Sequence, residues 1–218
     1  MTDKPPFEAP HNCICAYADV SILEFYRGCF DSVYIMLHPF YKLDKDNKII
    51  QVTTWKDFQS LAGFENINQL DVALRTNVGG LRIEYENKKD ADILRQASEL
   101  HNLWIPSEGN FQDTLDKEML RSLQGQGHQY MYIGDEWGFE RKLSYIQDVV
   151  DGKDDTLLTW GPQKNWYTTH NEILYATHWD SHFTLLCSNK NTVENILFNH
   201  RFEGFYCDEK IDIYWSTK

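Results

Sequence analysis

Two short apolar runs near the C-terminus, Ile173 to Thr177 and Phe183 to Cys187, meet across His178-Trp179-Asp180-Ser181-His182. Each run has the length and the β-branched or aromatic content of a strand. Their junction allows two geometries. In a straight strand side chains alternate, so His178, Asp180 and His182 share a face. At ~3.3 Å per residue the two histidines then stand ~13 Å apart, too far to share a zinc ion with bonds of ~2.0 Å. If the chain instead reverses at Trp179-Asp180-Ser181, His178 and His182 become the last cross-strand pair, with Cβ atoms ~5 Å apart. A divalent metal held by His178, His182 and a carboxylate, from Asp180 or from another loop, then becomes feasible. The spacing permits this set without requiring it. Histidines hydrogen-bonded within a sheet face beside Thr184 are the commoner outcome, since clustered histidines mark sites only statistically.

Upstream, Val33-Tyr34-Ile35-Met36-Leu37 reads as a buried strand ended by His38-Pro39, and Asp44 to Lys48 as a charged turn. Thr54 predicts an N-cap for a helix from Trp55 to Ala62, with Gly63 at the stop position. Leu70, Ala73 and Leu74 keep helical spacing up to a bend or break at Gly79-Gly80. Asp90 to Leu103 shows an apolar stripe of Ile93, Leu94, Ala97 and Leu100. Leu115, Met119, Leu120 and Leu123 mark another helix, closed by Gly125 and Gly127. Tyr130 to Ile133 reads as a strand, and Arg141 to Val150 as a helix. Thr192 to Phe198 predicts a short helix, and Gly204 to Cys207 with Ile211 to Trp215 a hairpin across Asp208-Glu209-Lys210. The expectation is one α+β domain over residues 1–218, with residues 1 to 12 a loose lead-in. It has a helix-rich middle, a mixed or mostly antiparallel sheet and a C-terminal β-β-α-β-β unit.

A hydrophobic fraction of 42%, with 12 Tyr, 12 Phe and 7 Trp, supplies a ring-rich core. The net charge of -12 removes the main electrostatic term for nucleic acid and disfavours an anionic membrane. A basic partner protein or a cation suits it better. No stretch approaches the ~20 apolar residues of a spanning helix, and the first residues lack a signal pattern, so a cytoplasmic location is expected. Five scattered cysteines suit reduced thiols. Cys13-Ile14-Cys15 beside His11 lacks a zinc-knuckle spacing and a second pair, and reads as ordinary thiols.

A second candidate cluster is Gly134-Asp135-Glu136-Trp137-Gly138, where Asp135 and Glu136 end a strand. Its simpler reading is an acidic turn with Trp137 anchored in the core. Glu203 with His200 and Arg201 reads as packing plus a surface ion pair. A phosphate-cradling glycine loop, a Gly-x-Ser-x-Gly elbow and a dinucleotide fingerprint are all missing.

The segments Gly134-Asp135-Glu136-Trp137-Gly138-Phe139-Glu140-Arg141-Lys142-Leu143, Thr177 to Phe183, Phe202-Glu203-Gly204-Phe205-Tyr206-Cys207 and Tyr214-Trp215-Ser216 resemble a family of bacterial proteins, the domain of unknown function 2711. The resemblance implies a single-domain bacterial cytosolic protein and brings no activity and no site residues. Three function classes stay open on the residues. The first is an acidic interaction module that takes a basic partner, as small immunity-type proteins do for toxins. The second is a metal-dependent hydrolase using His178, His182 and one of Asp180, Asp135 or Glu136. In the third, the histidine and aromatic clusters are purely structural.

Overall fold

The computed structural model describes residues 13–217; the expected lead-in, and His11 beside Cys13 and Cys15, lie outside them. The elements run α1 (Ile22–Phe25), β1 (Ser32–Leu37), β2 (Phe40–Leu43), β3 (Ile49–Thr53), α2 (Trp55–Ala62), α3 (Ile67–Val78), α4 (Lys88–His101), α5 (Asp113–Gly125), β4 (Tyr130–Gly134), β5 (Arg141–Tyr145), α6 (Ile146–Val150), β6 (Asn165–Thr168), β7 (Leu174–Thr177), β8 (Phe183–Ser188), α7 (Lys190–Asn199) and β9 (Gly204–Tyr206). The fold is α+β, as the sequence predicts. A seven-stranded sheet in the order β5-β4-β6-β7-β8-β1-β9 pairs antiparallel throughout, and β2-β3 forms a separate hairpin.

The large sheet is covered on both faces, which explains why β1 and β8 are buried at every position. Val33, Ile35 and Leu37 of β1 point into a core shared with Trp55, Phe58, Leu70, Leu74 and Leu94 of α2, α3 and α4. Tyr34 and Met36, one residue out of phase, point into a second core with Met119, Leu120 and Leu123 of α5, Ile146 of α6 and Val193 and Ile196 of α7.

Local chemistry sets the helix limits. Thr54 Oγ1 accepts from Asp57 N at 3.0 Å, and α2 ends where Gly63 turns left-handed, as the sequence predicts. Glu203 lies across the same N-terminus, its two carboxylate oxygens accepting from Trp55 N (2.6 Å) and Lys56 N (2.9 Å). That placement satisfies donors the helix cannot and puts an anion at the positive end of its dipole. The surface ion pair expected for Glu203 does not form; helix capping takes its place. Gly79-Gly80 is a full break between α3 and the next helical stretch.

Four expectations are corrected. Arg141 to Val150 is not one helix, because Arg141–Tyr145 pairs with β4 and only Ile146–Val150 is helical. The hairpin of 204–207 with 211–215 does not form. β9 pairs with β1, while Ile211 O accepts from Ile22 N and Ile213 O from Arg75, so that backbone serves α1 and α3 before a 3₁₀ turn at Trp215–Thr217. The C-terminal unit is therefore β-β-α-β. Trp137 is 60% exposed rather than anchored. The strands β2, β3 and β6, of four or five residues each, fall outside the predicted set.

Gly204 sits so close to β1 that a Cβ would lie 1.8 Å from Ile35 O. Gly204→Ala is expected to push β9 off the sheet and cost about 2 kcal/mol or more. Urea denaturation measures this, and an unchanged midpoint would refute the packing described.

Candidate functional site at one end of the sheet

Antiparallel pairing brings alternate strand ends together. Gly134 pairs with Asn165, Asn165 with Ala176, Thr177 with Thr184, and Leu37 with Phe183. The residues just beyond these pairs, His38, Asp135, Glu136, Lys164 and 178–182, therefore all emerge at one end of the sheet.

The chain does reverse between β7 and β8, but not with the two histidines opposed. Thr177 and Thr184 are the last registered pair, which sets His178 against Phe183 rather than His182. Ser181 N donates to His178 O at 3.1 Å and closes the turn. Within it His178 Nδ1 meets Asp180 Oδ1 at 2.5 Å. An ionised carboxylate only accepts, so Nδ1 carries the proton and Nε2 is left as the basic nitrogen. The Tyr214 hydroxyl donates to the other oxygen, Asp180 Oδ2, at 2.7 Å.

Behind this pair lies Arg75 of α3, with no exposed surface. Its Nε donates to Asp71 Oδ2 at 2.8 Å, one helical turn back. Its Nη2 donates to Ile213 O at 2.6 Å and to Ser181 Oγ at 3.3 Å; Nη1 lies 3.5 Å from Asp180 Oδ1. Phe183 and Tyr214 offer ring faces at 5.7 and 5.0 Å from its guanidinium carbon. Ser216 Oγ donates to Asp71 Oδ2 at 2.6 Å and ties in the C-terminal turn. Burial alone would favour the neutral acid at Asp180. The hydrogen bonds from His178 and Tyr214, with the Arg75 charge, outweigh it and hold the carboxyl below its ordinary range.

His182 lies in a different environment. Its ring is fully buried, neither nitrogen has a partner, and its backbone O accepts from His38 N at 2.9 Å. Burial, reinforced by Arg75 and His38, pushes its pKa down to about 3, so it is neutral. His38, joined through Nε2 to Thr184 Oγ1 at 2.8 Å, is pushed down to about 3 by burial as well, with partial opposition from the Ser107 backbone. Asp135 caps its own turn, Oδ1 accepting from Phe139 N at 2.8 Å. Glu136 contributes through space: its charge acts on Lys164 and on Cys15.

Lys164 is buried, and desolvation lowers its pKa against the opposing pull of the Glu136 and Glu108 carboxylates. Its ammonium donates to Gly109 O. Gly109 in turn donates to Ser181 O at 2.9 Å, and a Cβ there would lie 2.0 Å from Trp179 O. Only glycine lets that backbone, at φ +65°, press against the histidine turn. Burial holds the Cys15 thiol well above its ordinary pKa, so it stays protonated.

The turn thus brings His178 and Asp180 together, leaves His182 beside Arg75 and His38, and keeps Asp135 and Glu136 at the neighbouring strand end. Among the described residues no three His, Cys, Asp or Glu side chains gather as a metal cage requires. Arg75, Asp71 and Lys164 are absent from the sequence reading, and Tyr214 enters it only within a strand and in the family resemblance. The signal for the first two was present: an Asp and an Arg four apart on the buried face of a helix marked by Leu70, Ala73 and Leu74. A cavity of about 520 Å³, lined in part by Gly80, Arg82, Tyr85 and Tyr214, adjoins the site. Gly80 is the thin wall between the two: a Cβ there would meet Asp180 Cβ at 3.2 Å.

Removing the Arg75 charge strands two buried carboxylates, so Arg75→Ala is expected to cost about 3–5 kcal/mol in chemical denaturation; a loss under ~1 kcal/mol would refute the network's role. Acid should also destabilise the fold through the two buried histidines. The unfolded chain takes up these protons near pH ~6.5 and the folded chain near 3. Each histidine's contribution is therefore present above that window and lost on acidification through it, at about 1.4 kcal/mol per pH unit. Asp116 acts in the opposite sense, because burial and Asp113 raise its carboxyl to about 7 and its proton stabilises the fold as pH falls toward ~3.8. His182→Phe is expected to flatten the stability slope between pH 6.5 and 5 by about one histidine's share; an unaltered slope would show that His182 is not held neutral.

Residues 18–217 match the family described as Protein of unknown function (DUF2711), and the chain belongs to that family. It is similar to an uncharacterised protein, YwbB, of Bacillus subtilis (strain 168), at 22% identity over 78% of this chain and 76% of that protein. No solved structure matches. Among the described residues no helix is long and apolar enough to cross a membrane.

Proposed function

We propose that this member of the DUF2711 family is an enzyme acting on a small polar molecule, with His178 as the general base. One observation carries the reading: His178 is fixed through Nδ1 by a carboxylate that is itself held from two other sides, while Nε2 makes no hydrogen bond among the described residues and the side chain keeps 8% of its surface. A carboxylate on Nδ1 selects the tautomer and stabilises the imidazolium that forms when Nε2 accepts a proton. Tyr214 belongs both to the hydrogen-bonded pair and to the wall of the adjoining cavity, and its ring stands 6.1 Å from that of His178. A substrate seated against Tyr214 would touch the residue whose hydroxyl holds Asp180, and a small opening of the turn would bring it to the imidazole. The reaction class this supports is proton abstraction from water or from a substrate hydroxyl, as in ester or phosphoester hydrolysis.

A second reading, association with a basic partner protein, draws on the net charge of -12 and on large apolar side chains left in water beside acidic residues. A cytoplasmic location fits both readings.

The first reading is tested by offering 4-nitrophenyl acetate, 4-nitrophenyl phosphate and bis(4-nitrophenyl) phosphate across pH 5–9. His178→Gln is expected to lower turnover by about 10²–10⁴, and Asp180→Asn to lower it through loss of the correct tautomer. Turnover that survives His178→Gln, or none with any of the three, overturns it.

A further inference from the structure

The edge of the sheet at β4 and β5 carries an unusual amount of apolar surface. Phe139 is 89% exposed, Trp160 87%, Leu157 70% and Trp137 60%. These side chains stand on backbone that is tied down. Glu140 accepts from Thr159 N at 2.6 Å and from Trp160 N at 2.7 Å, so the 157–160 segment is stitched to the turn bearing Trp137 and Phe139. The Asp135 carboxylate holds Phe139 N within the same turn. The hydrogen bonds through Glu140 hold four large exposed apolar groups on two joined segments, and clustered apolar surface marks interaction sites where single exposed residues do not.

The surroundings select the partner. Residues 135–160 carry seven carboxylates against three cations. Two of the cations are already taken: Lys142 binds Asp154 at 2.5 Å and Lys153 binds Asp151 at 2.8 Å. Arg141, the third, lies 5.1 Å over the Tyr132 ring. Asp154 also lines a cavity of about 280 Å³ with Asp113 and Asp116, which opens off the same loop. A second copy of this chain would bring its own net charge of -12 to the face, so self-association there meets like-charge repulsion.

We propose that the Trp137–Phe139–Leu157–Trp160 face docks a segment of a partner protein in which lysine or arginine alternates with aromatic or aliphatic residues. The apolar side chains cover the exposed rings, and the cations meet Asp155 and the acid-lined cavity. This rests on the basic-partner reading and adds to it a place and a pattern.

The test uses the full chain and three synthetic peptides: lysine alternating with leucine and phenylalanine, the same peptide with glutamate for lysine, and lysine alternating with serine. Tryptophan emission and calorimetry read the binding. The first peptide is expected to bind, with affinity falling as salt rises, and the other two at least tenfold more weakly. Phe139→Ser combined with Trp160→Ser should weaken the first peptide at least tenfold without lowering Tm. Equal binding by that variant, or by the lysine–serine peptide, overturns the face while leaving the basic-partner reading intact. No binding of the first peptide at low salt overturns both. A dimer of the wild-type chain that dissociates in the variant would replace the partner segment with a second copy and overturn the assignment.

Discussion

A guanidinium sealed from water has to be neutralised where it sits, and Arg75 thereby decides where two other stretches of chain go. Its five donors run in a fixed fork. One side is answered from its own helix by Asp71, and the rest by the β7–β8 turn and by the carbonyl of Ile213. Taking such a charge out of water costs several kcal/mol unless every donor finds an acceptor. The C-terminal segment consequently runs as a loop against α3 instead of pairing with β9. Two carboxylates around one cation leave negative charge over, and His178, Tyr214 and Ser216 donate to those same oxygens. The imidazole–carboxylate pair is thus part of the solution to a burial problem, and for that reason it is rigid. A carboxylate gripped from three sides cannot swing away from the ring it orients, which is the preorganisation a general base requires.

Covering the sheet on both faces pushes polar chemistry to the strand ends. Along β1 and β8 every position is buried, so functional groups can emerge only where the ladder stops. Of the two ends, this one is equipped by what packs over it. The 109–110 loop is pinned by the Lys164 ammonium and pressed against Trp179, and the break at Gly79-Gly80 lets the end of α3 approach Asp180 without a Cβ between them. Strand ends supply the residues, and the loops above them supply the enclosure.

Much of the fold was legible from local signals. The α2 helix was bounded correctly by Thr54 and Gly63, and β7 and β8 were placed by their apolar runs, because caps and short apolar strands are local properties. Elements of four or five residues carried too little pattern: Asn165-Trp166-Tyr167-Thr168 holds two polar and two aromatic residues and becomes a strand only because β4 and β7 flank it. Arg141 to Tyr145 reads as part of the helix that follows, since Leu143, Ile146 and Val150 fit a helical stripe as well as they fit two separate elements. At the site, the sequence leaves the reversal between β7 and β8 open as one of two geometries, and for that reversal it opposes the wrong residues. The pairing of Thr177 with Thr184 depends on the neighbouring strands and places the two histidines in separate surroundings. Arg75, Lys164 and Tyr214 reach the site from distant parts of the chain, and although Asp71 and Arg75 pair visibly along their helix, nothing local says which turn that pair meets.

The acidic turn at residues 135–140 serves both features of the surface. Glu136 acts through its charge on Lys164 at the polar end of the sheet, while Trp137 and Phe139 stand in water. The turn stays compact because Asp135 N donates to Glu140 O and the Asp135 carboxylate accepts from Phe139 N. On its inner side, Gly138 leaves room for Ile14, whose Cγ2 would lie 3.2 Å from a Cβ there. A partner seated on the rings bears on backbone that also carries Glu136. Since the field of Glu136 opposes the desolvation that lowers the Lys164 pKa, any displacement of the turn alters the electrostatics beneath the histidine loop. The proposed docking face and the proposed chemistry at the strand ends therefore share one short, hydrogen-bonded element, although their side chains point to different sides of it.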